Sequence, residues 1–137
     1  MKPKIAIVVV EASKTGFSVY AQDDDLPMNG YGKTVEEAKA DFMEAYQEML
    51  DYYKEKALPL PEAYNNGNLK FEYKYDIASI FMHFGVLDAT QFAHKIGMNP
   101  SLLRQYKTGH ALASDKQKKK IEEGLHELGR ELLNVHL

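Results

Sequence analysis

Cysteine is absent from the 137 residues, which excludes disulfide scaffolds, thiol nucleophiles and cysteine metal sites. Long apolar runs are absent too. The longest, IAIVVV at Ile5–Val10, falls far short of the roughly 20 residues a membrane helix needs. It is also too short, and too poor in small cleavage-site residues, for a secretory signal. An excess of positive charge is missing: 17 Lys and Arg stand against 20 Asp and Glu, a net of −3, so the whole chain is no basic nucleic-acid coat. A soluble, cytoplasmic protein is the expectation. What is present is a 45% hydrophobic, 27% charged mixture, which argues against wholesale disorder, in a length that suits one ordinary domain or two small ones.

The charge is unevenly spread. Met1–Tyr75 carries nine basic and thirteen acidic residues, a net of −4, whereas Asp76–Leu137 carries eight and seven, a net of +1. Within Ala89–Ile121, Lys95, Arg104, Lys107, Lys116, Lys118, Lys119 and Lys120 face Asp115 alone, a local net of +6. A polyanion responds to that local potential rather than to the average.

The N-terminal half reads as strands around one long helix. Ile5–Val10 is β-branched, and Phe17–Ala21 alternates, so the two form a hairpin through ASKTG. Being apolar on both faces, the first strand must be central or covered by a helix. Met28–Gly32 offers an edge strand that its two glycines weaken. Thr34 with Glu37 makes a capping box, and Val35, Ala38, Phe42, Ala45, Tyr46, Met49 and Tyr53 recur at helical spacing until Leu58-Pro59-Leu60-Pro61 ends the helix. PLPEAYNNGN reads as a loop. Leu69, Phe71, Tyr73 and Tyr75 then alternate with Lys70, Glu72 and Lys74 in a strand that returns to the first sheet.

From Asp76 the period turns helical, which places a domain boundary near Tyr75/Asp76, between residues 1–75 and 76–137. Asp76 caps a helix through Phe84 that Gly85 closes. Asp88 or Thr90 opens TQFAHKIG, and Asn99 with Pro100 opens PSLLRQYKTG. Ser114 with Gln117 opens a last helix with Ile121, Leu125, Leu128 and Leu132 inward. Ala93, small at the helix crossing, and Gly97, at the turn four residues later, fit the DNA-binding helix-turn-helix pattern, with Phe92, Ile96, Leu103 and Tyr106 packing the pair. Facing outward are Ser101, Arg104, Gln105 and Thr108, candidates for base contacts, since arginine reads guanine and glutamine reads adenine in the major groove. Gln91, Asn99, Lys107, Lys116 and Lys118 are candidates for phosphate contacts. The alternative is a small helical bundle with an ordinary polar surface.

Other chemistry fits poorly. NGYGKT lacks the first glycine of a P-loop, since Pro27 stands in its place. The acids Asp23, Asp24 and Asp25 are consecutive, and successive residues point apart, so they suit a solvated loop better than a metal site. No two of His83, His94, His110, His126 and His136 are four residues apart, and no serine lies in a G-x-S-x-G context. No enzyme, cofactor or metal site is expected.

The hairpin VVVEASKTGFSVYAQD, the following DLPMNGYGKTVEEA and the helix Val35–Lys56 resemble the HicB family of antitoxins, and TQFAHKIGMNPSLLRQYKTGH resembles Cro/Xre-type helix-turn-helix proteins, a type found within that family. Family members usually carry a proline-glycine before an apolar strand near residues 27–30, where this chain has LPMNGYG. The resemblance implies an α+β protein: a small partial RNase H-like domain, its sheet packed by one long helix, followed by an all-α DNA-binding domain. It implies an antitoxin that neutralises a small RNA-cleaving HicA-like toxin and, as a homodimer or higher homo-oligomer, represses its own operon on double-stranded DNA. The competing reading is a stand-alone transcriptional regulator whose N-terminal domain oligomerises or binds a small ligand.

Overall fold

Side-chain alternation sorts the first strand into two faces. In β1 (Lys4–Ala12), Ala6, Val8 and Val10 are buried, while Ile5, Ile7 and Val9 on the other face keep some exposure. The computed structural model describes residues 2–137 and pairs β1 antiparallel with β2 (Phe17–Ala21), β2 antiparallel with β3 (Asn29–Gly32), and β1 parallel with β4 (Leu69–Tyr75). The sheet order is β3-β2-β1-β4, so β1 is central. The β1–β2 connection is four residues rather than five, because Ala12 pairs with Phe17 and the Ser13 amide donates to Gly16 O at 2.8 Å. With the helices that follow, this mixed sheet makes an α+β fold.

α1 (Val35–Glu55) begins where expected: Thr34 Oγ1 accepts from the Glu37 amide at 3.1 Å, and Glu37 reaches back to the Lys33 amide at 2.9 Å. Val35, Ala38, Phe42 and Tyr46 seal the sheet beneath it. The glycines of β3 do not prevent a strand. A Cβ on Gly30 would lie 2.5 Å from Ala38 O, and one on Gly32 would lie 2.5 Å from the Ala38 amide nitrogen, so their smallness is what lets α1 rest on β3. The stretch after α1 is more ordered than a plain loop. It holds a 3-10 helix, Glu62–Gly67, whose Tyr64 is fully buried and donates to Met28 Sδ at 3.7 Å.

α2 (Ile77–His83) packs against β1, with Ser79 Oγ donating to Val10 O at 3.2 Å and Asp76 Oδ1 accepting from the Ser79 amide at 2.8 Å. Two compact units result, the first ending at His83 and the second spanning Phe84–Leu137. α2 stops one residue earlier than expected, and Gly85 is not among the glycines with positive φ, so it forms no left-handed cap.

The second unit contains α3 (Ala89–Ile96), α4 (Pro100–Thr108) and α5 (Asp115–Leu133). Phe92, Ala93, Met98, Leu103, Tyr106 and Ile121 are its buried apolar centre. α5 offers Gly124 to α3, where an added Cβ would strike Ile96 Cγ2. Leu125 and Leu128 are half-buried, but Leu132 is 62% exposed rather than inward.

Candidate nucleic-acid interface

The local turn chemistry of α3 and α4 is written in their ends. Asp88 Oδ1 caps α3 through the Gln91 amide at 2.9 Å, and Asn99 Oδ1 caps α4 through the Leu102 amide at 3.2 Å. Gly97 and Gly109 close the two helices with φ of 71° and 79°, a left-handed conformation that glycine adopts without steric cost. Pro100 occupies the first turn of α4, where its missing amide costs nothing. Ala93 and Leu103 are both at 0% exposure, so the helices are in close contact at the small residue.

Burying Leu103 and Tyr106 turns the opposite side of α4 to solvent. Ser101, Arg104, Gln105 and Thr108 are all exposed, and their spacing of three, four and seven residues sets them in one stripe. Two of the four are already engaged. Arg104 Nη1 donates to Thr90 Oγ1 at 2.9 Å, tying α4 to the first turn of α3. Thr108 Oγ1 lies 3.1 Å from Arg104 O and 2.6 Å from His110 Nδ1. Ser101 and Gln105 carry no side-chain hydrogen bond among the described residues. From sequence Thr90 reads only as a possible helix start and His110 only as a histidine near the basic face; neither hydrogen bond follows from a local motif.

The residues expected at phosphates divide similarly. Gln91, Asn99, Lys107, Lys116 and Lys118 are exposed. Asn99 spends its carbonyl oxygen on capping, which leaves its amide NH2 to donate. Lys107 flanks the α4 stripe. Lys116 and Lys118 are two residues apart on α5, about 200° around a helix of 3.6 residues per turn, so they lie on different flanks rather than in one patch. The capping carboxylate of Asp88 occupies the Gln91 amide at the start of α3 and adds negative charge there.

The basic segment is thinner than its charge count. Lys95 Nζ pairs with Glu131 at 2.7 Å, and that hydrogen bond holds its ammonium above the usual lysine range. Lys119 pairs with Glu123 at 4.0 Å, and Lys120 Nζ donates to Gly97 O at 3.0 Å, closing the C-terminal end of α3. Among the described residues, Arg104, Lys107, Lys116 and Lys118 have no carboxylate within ion-pair reach.

Elsewhere, Asp23, Asp24 and Asp25 are exposed in the β2–β3 loop, where Asp23 Oδ1 accepts from the Asp25 amide at 2.9 Å. Among the described residues no three His, Asp or Glu side chains gather to hold a metal ion, and no helix is long and apolar enough to cross a membrane. Two surface clefts measure about 250 Å³ each, one beside Lys4, Ile7, Asp23 and Leu69, the other beside Lys95, Lys120 and Gly124. Set against protein-family models, curated proteins and solved structures, the chain finds no match.

Proposed function

We propose that the second unit reads double-stranded DNA through α4 and that the chain is an antitoxin-type autorepressor of the HicB kind, acting in the cytoplasm. One observation carries the reading. α3 and α4 are capped at both ends and packed on Ala93, and the face of α4 opposite Leu103 and Tyr106 is a continuous polar stripe. Such a stripe on the second helix of a helix-turn-helix is what enters a major groove. Gln105 and Arg104 suit base edges. Lys107 and one of Lys116 or Lys118 suit phosphates.

In this reading the first unit takes the toxin. Its α1 exposes Glu44, Glu48, Asp51 and Glu55 in succession, which favours a cationic partner such as an RNA-cleaving protein. The clefts of about 250 Å³ are smaller than the roughly 300–1,000 Å³ of ordinary ligand pockets, which weighs against a small-ligand regulator.

The test is fluorescence anisotropy of the full chain on its own upstream DNA, with wild type and Arg104→Ala/Gln105→Ala compared at two salt concentrations. About two lysine–phosphate contacts per subunit give a log–log salt slope of about −2, doubled for a dimer on two half-sites. Specific binding with that slope, lost in the double variant, supports the reader helix. Equal affinity for unrelated DNA, or a double variant as tight as wild type, removes it.

A further inference from the structure

We propose that β4 is a self-association edge, to which a second copy of this chain adds its own β4 antiparallel, with the two Tyr73 residues facing each other. The proposal needs no DNA and does not rest on the reader helix.

The two edges of the sheet are unlike. β3 has four residues, two of them glycine, and its Tyr31 amide donates to Asp41 Oδ2 at 2.9 Å. β4 has seven residues without proline or glycine and pairs with β1 alone. A long, flat, open edge is a template for another strand. The face toward α1 keeps an exposed margin as well, although Lys39 lies over Tyr73 and His83 stacks on Tyr75. Val8 and Val10 of β1 are fully buried, but Tyr73 and Tyr75 beside them, like Phe71, are only half-buried.

The opposite face of β4 says which strand fits. Lys70, Glu72 and Lys74 alternate in sign there, and Asp76, which also caps α2, follows the strand. Lysines on an edge commonly repel a second copy. The glutamate between them reverses that outcome for one register. In an antiparallel pair centred on Tyr73, Glu72 lies opposite the partner's Lys74 and Lys74 lies opposite the partner's Glu72. Lys70 falls opposite the partner's Asp76, and Phe71 meets the partner's Tyr75 on the other face. Shifting the centre to Glu72 sets Lys70 against the partner's Lys74 and glutamate against glutamate, which the sheet rejects. One such junction buries less than the roughly 1,200 Å² of a stable complex, so association is reversible and concentration-dependent.

Sedimentation equilibrium of the full chain, without DNA, tests this across a concentration series. Wild type is expected to move from 15.6 kDa toward twice that mass. Glu72→Lys and Lys74→Glu each turn both central pairs repulsive and should weaken the dimer about tenfold or more. The double reversal Glu72→Lys/Lys74→Glu restores the pairs and should return the dimer. Raised salt should loosen the wild-type dimer without any substitution. A wild type that stays monomeric overturns the proposal. So does a dimer indifferent to both single changes, or a double reversal as weak as the singles, which would point to another register or surface.

Discussion

Gly30→Ala is expected to unfold the first unit at markedly lower denaturant, although it adds only one methyl group. Gly30 has no positive φ, so alanine is compatible with its backbone and the effect isolates packing. The new methyl would lie 2.5 Å from Ala38 O and 2.9 Å from Phe42 Cα, and both are backbone atoms of α1 that no rotamer change can clear. Relief requires the helix to retreat by roughly 1 Å, and a gap of that size forfeits about a quarter to a half of each dispersion contact. The contacts at stake are those of Val35, Ala38 and Phe42, all at 1% exposure or less. Against this, alanine lowers the entropy of the unfolded chain, worth about 0.4–1 kcal/mol in favour of folding. Overpacking costs of about 1–3 kcal/mol prevail, leaving a net loss of about 1.3 kcal/mol and a fall in Tm of about 5–10 °C for a unit of this size. The assay is urea unfolding followed by tyrosine fluorescence, because eight of the nine tyrosines, all but Tyr106, belong to the first unit. Gly129→Ala on the exposed side of α5, with nothing within 4 Å, is the control and should stabilise its own unit by up to about 1 kcal/mol. A Gly30→Ala variant within about 0.5 kcal/mol of wild type, the ordinary range of surface changes, would refute the close approach of α1 to β3.

Two further outcomes are expected. Burial pushes the phenols of Tyr46, Tyr64 and Tyr73 above their ordinary value of 10, so the stability they lend is intact below pH 10 and is lost as pH rises through their folded values. Tyrosinate absorbance and circular dichroism, followed together in alkali, should show a late-ionising class that appears with unfolding; all nine tyrosines titrating at the ordinary value in a folded chain would contradict this. Thr90→Val removes the acceptor of Arg104 and should increase discrimination against a mismatched operator, measured as the ratio of anisotropy-derived Kd values, whereas an unchanged ratio means that Arg104 reads no base.

Much of the fold was legible because its signals are local. Thr34, Asp76, Asn99 and Ser114 accept the amides their positions call for, and Gly97 and Gly109 take the left-handed conformation. What the sequence hid was decided by partners distant along the chain. The glycines of β3 count against a strand in isolation and become necessary only once α1 is laid over them. Tyr64 looked like loop because its burial depends on Met28, 36 residues away. Leu132 carries the right periodicity, but periodicity does not say whether another element covers that turn. In the candidate interface, exposure of the α4 stripe follows from helical spacing, yet the ties of Arg104 to Thr90 and of Lys120 to Gly97 span 14 and 23 residues and are visible only in three dimensions.

Those ties bear on how such a surface would discriminate. A guanidinium left without a partner against the wrong base incurs the full desolvation loss, about 1–3 kcal/mol, and that loss is what makes arginine selective. Arg104 has somewhere to go. If the base offers no acceptor, its Nη1 can keep the 2.9 Å bond to Thr90, and the penalty for a mismatch shrinks toward the difference between two hydrogen bonds. The hydroxyl of Thr108, already beside Arg104 O and His110, is buffered in the same way. Gln105 has no such refuge among the described residues, so on a DNA surface the sharper base preference belongs to Gln105. Arg104 would contribute affinity more than selectivity while Thr90 keeps its hydroxyl.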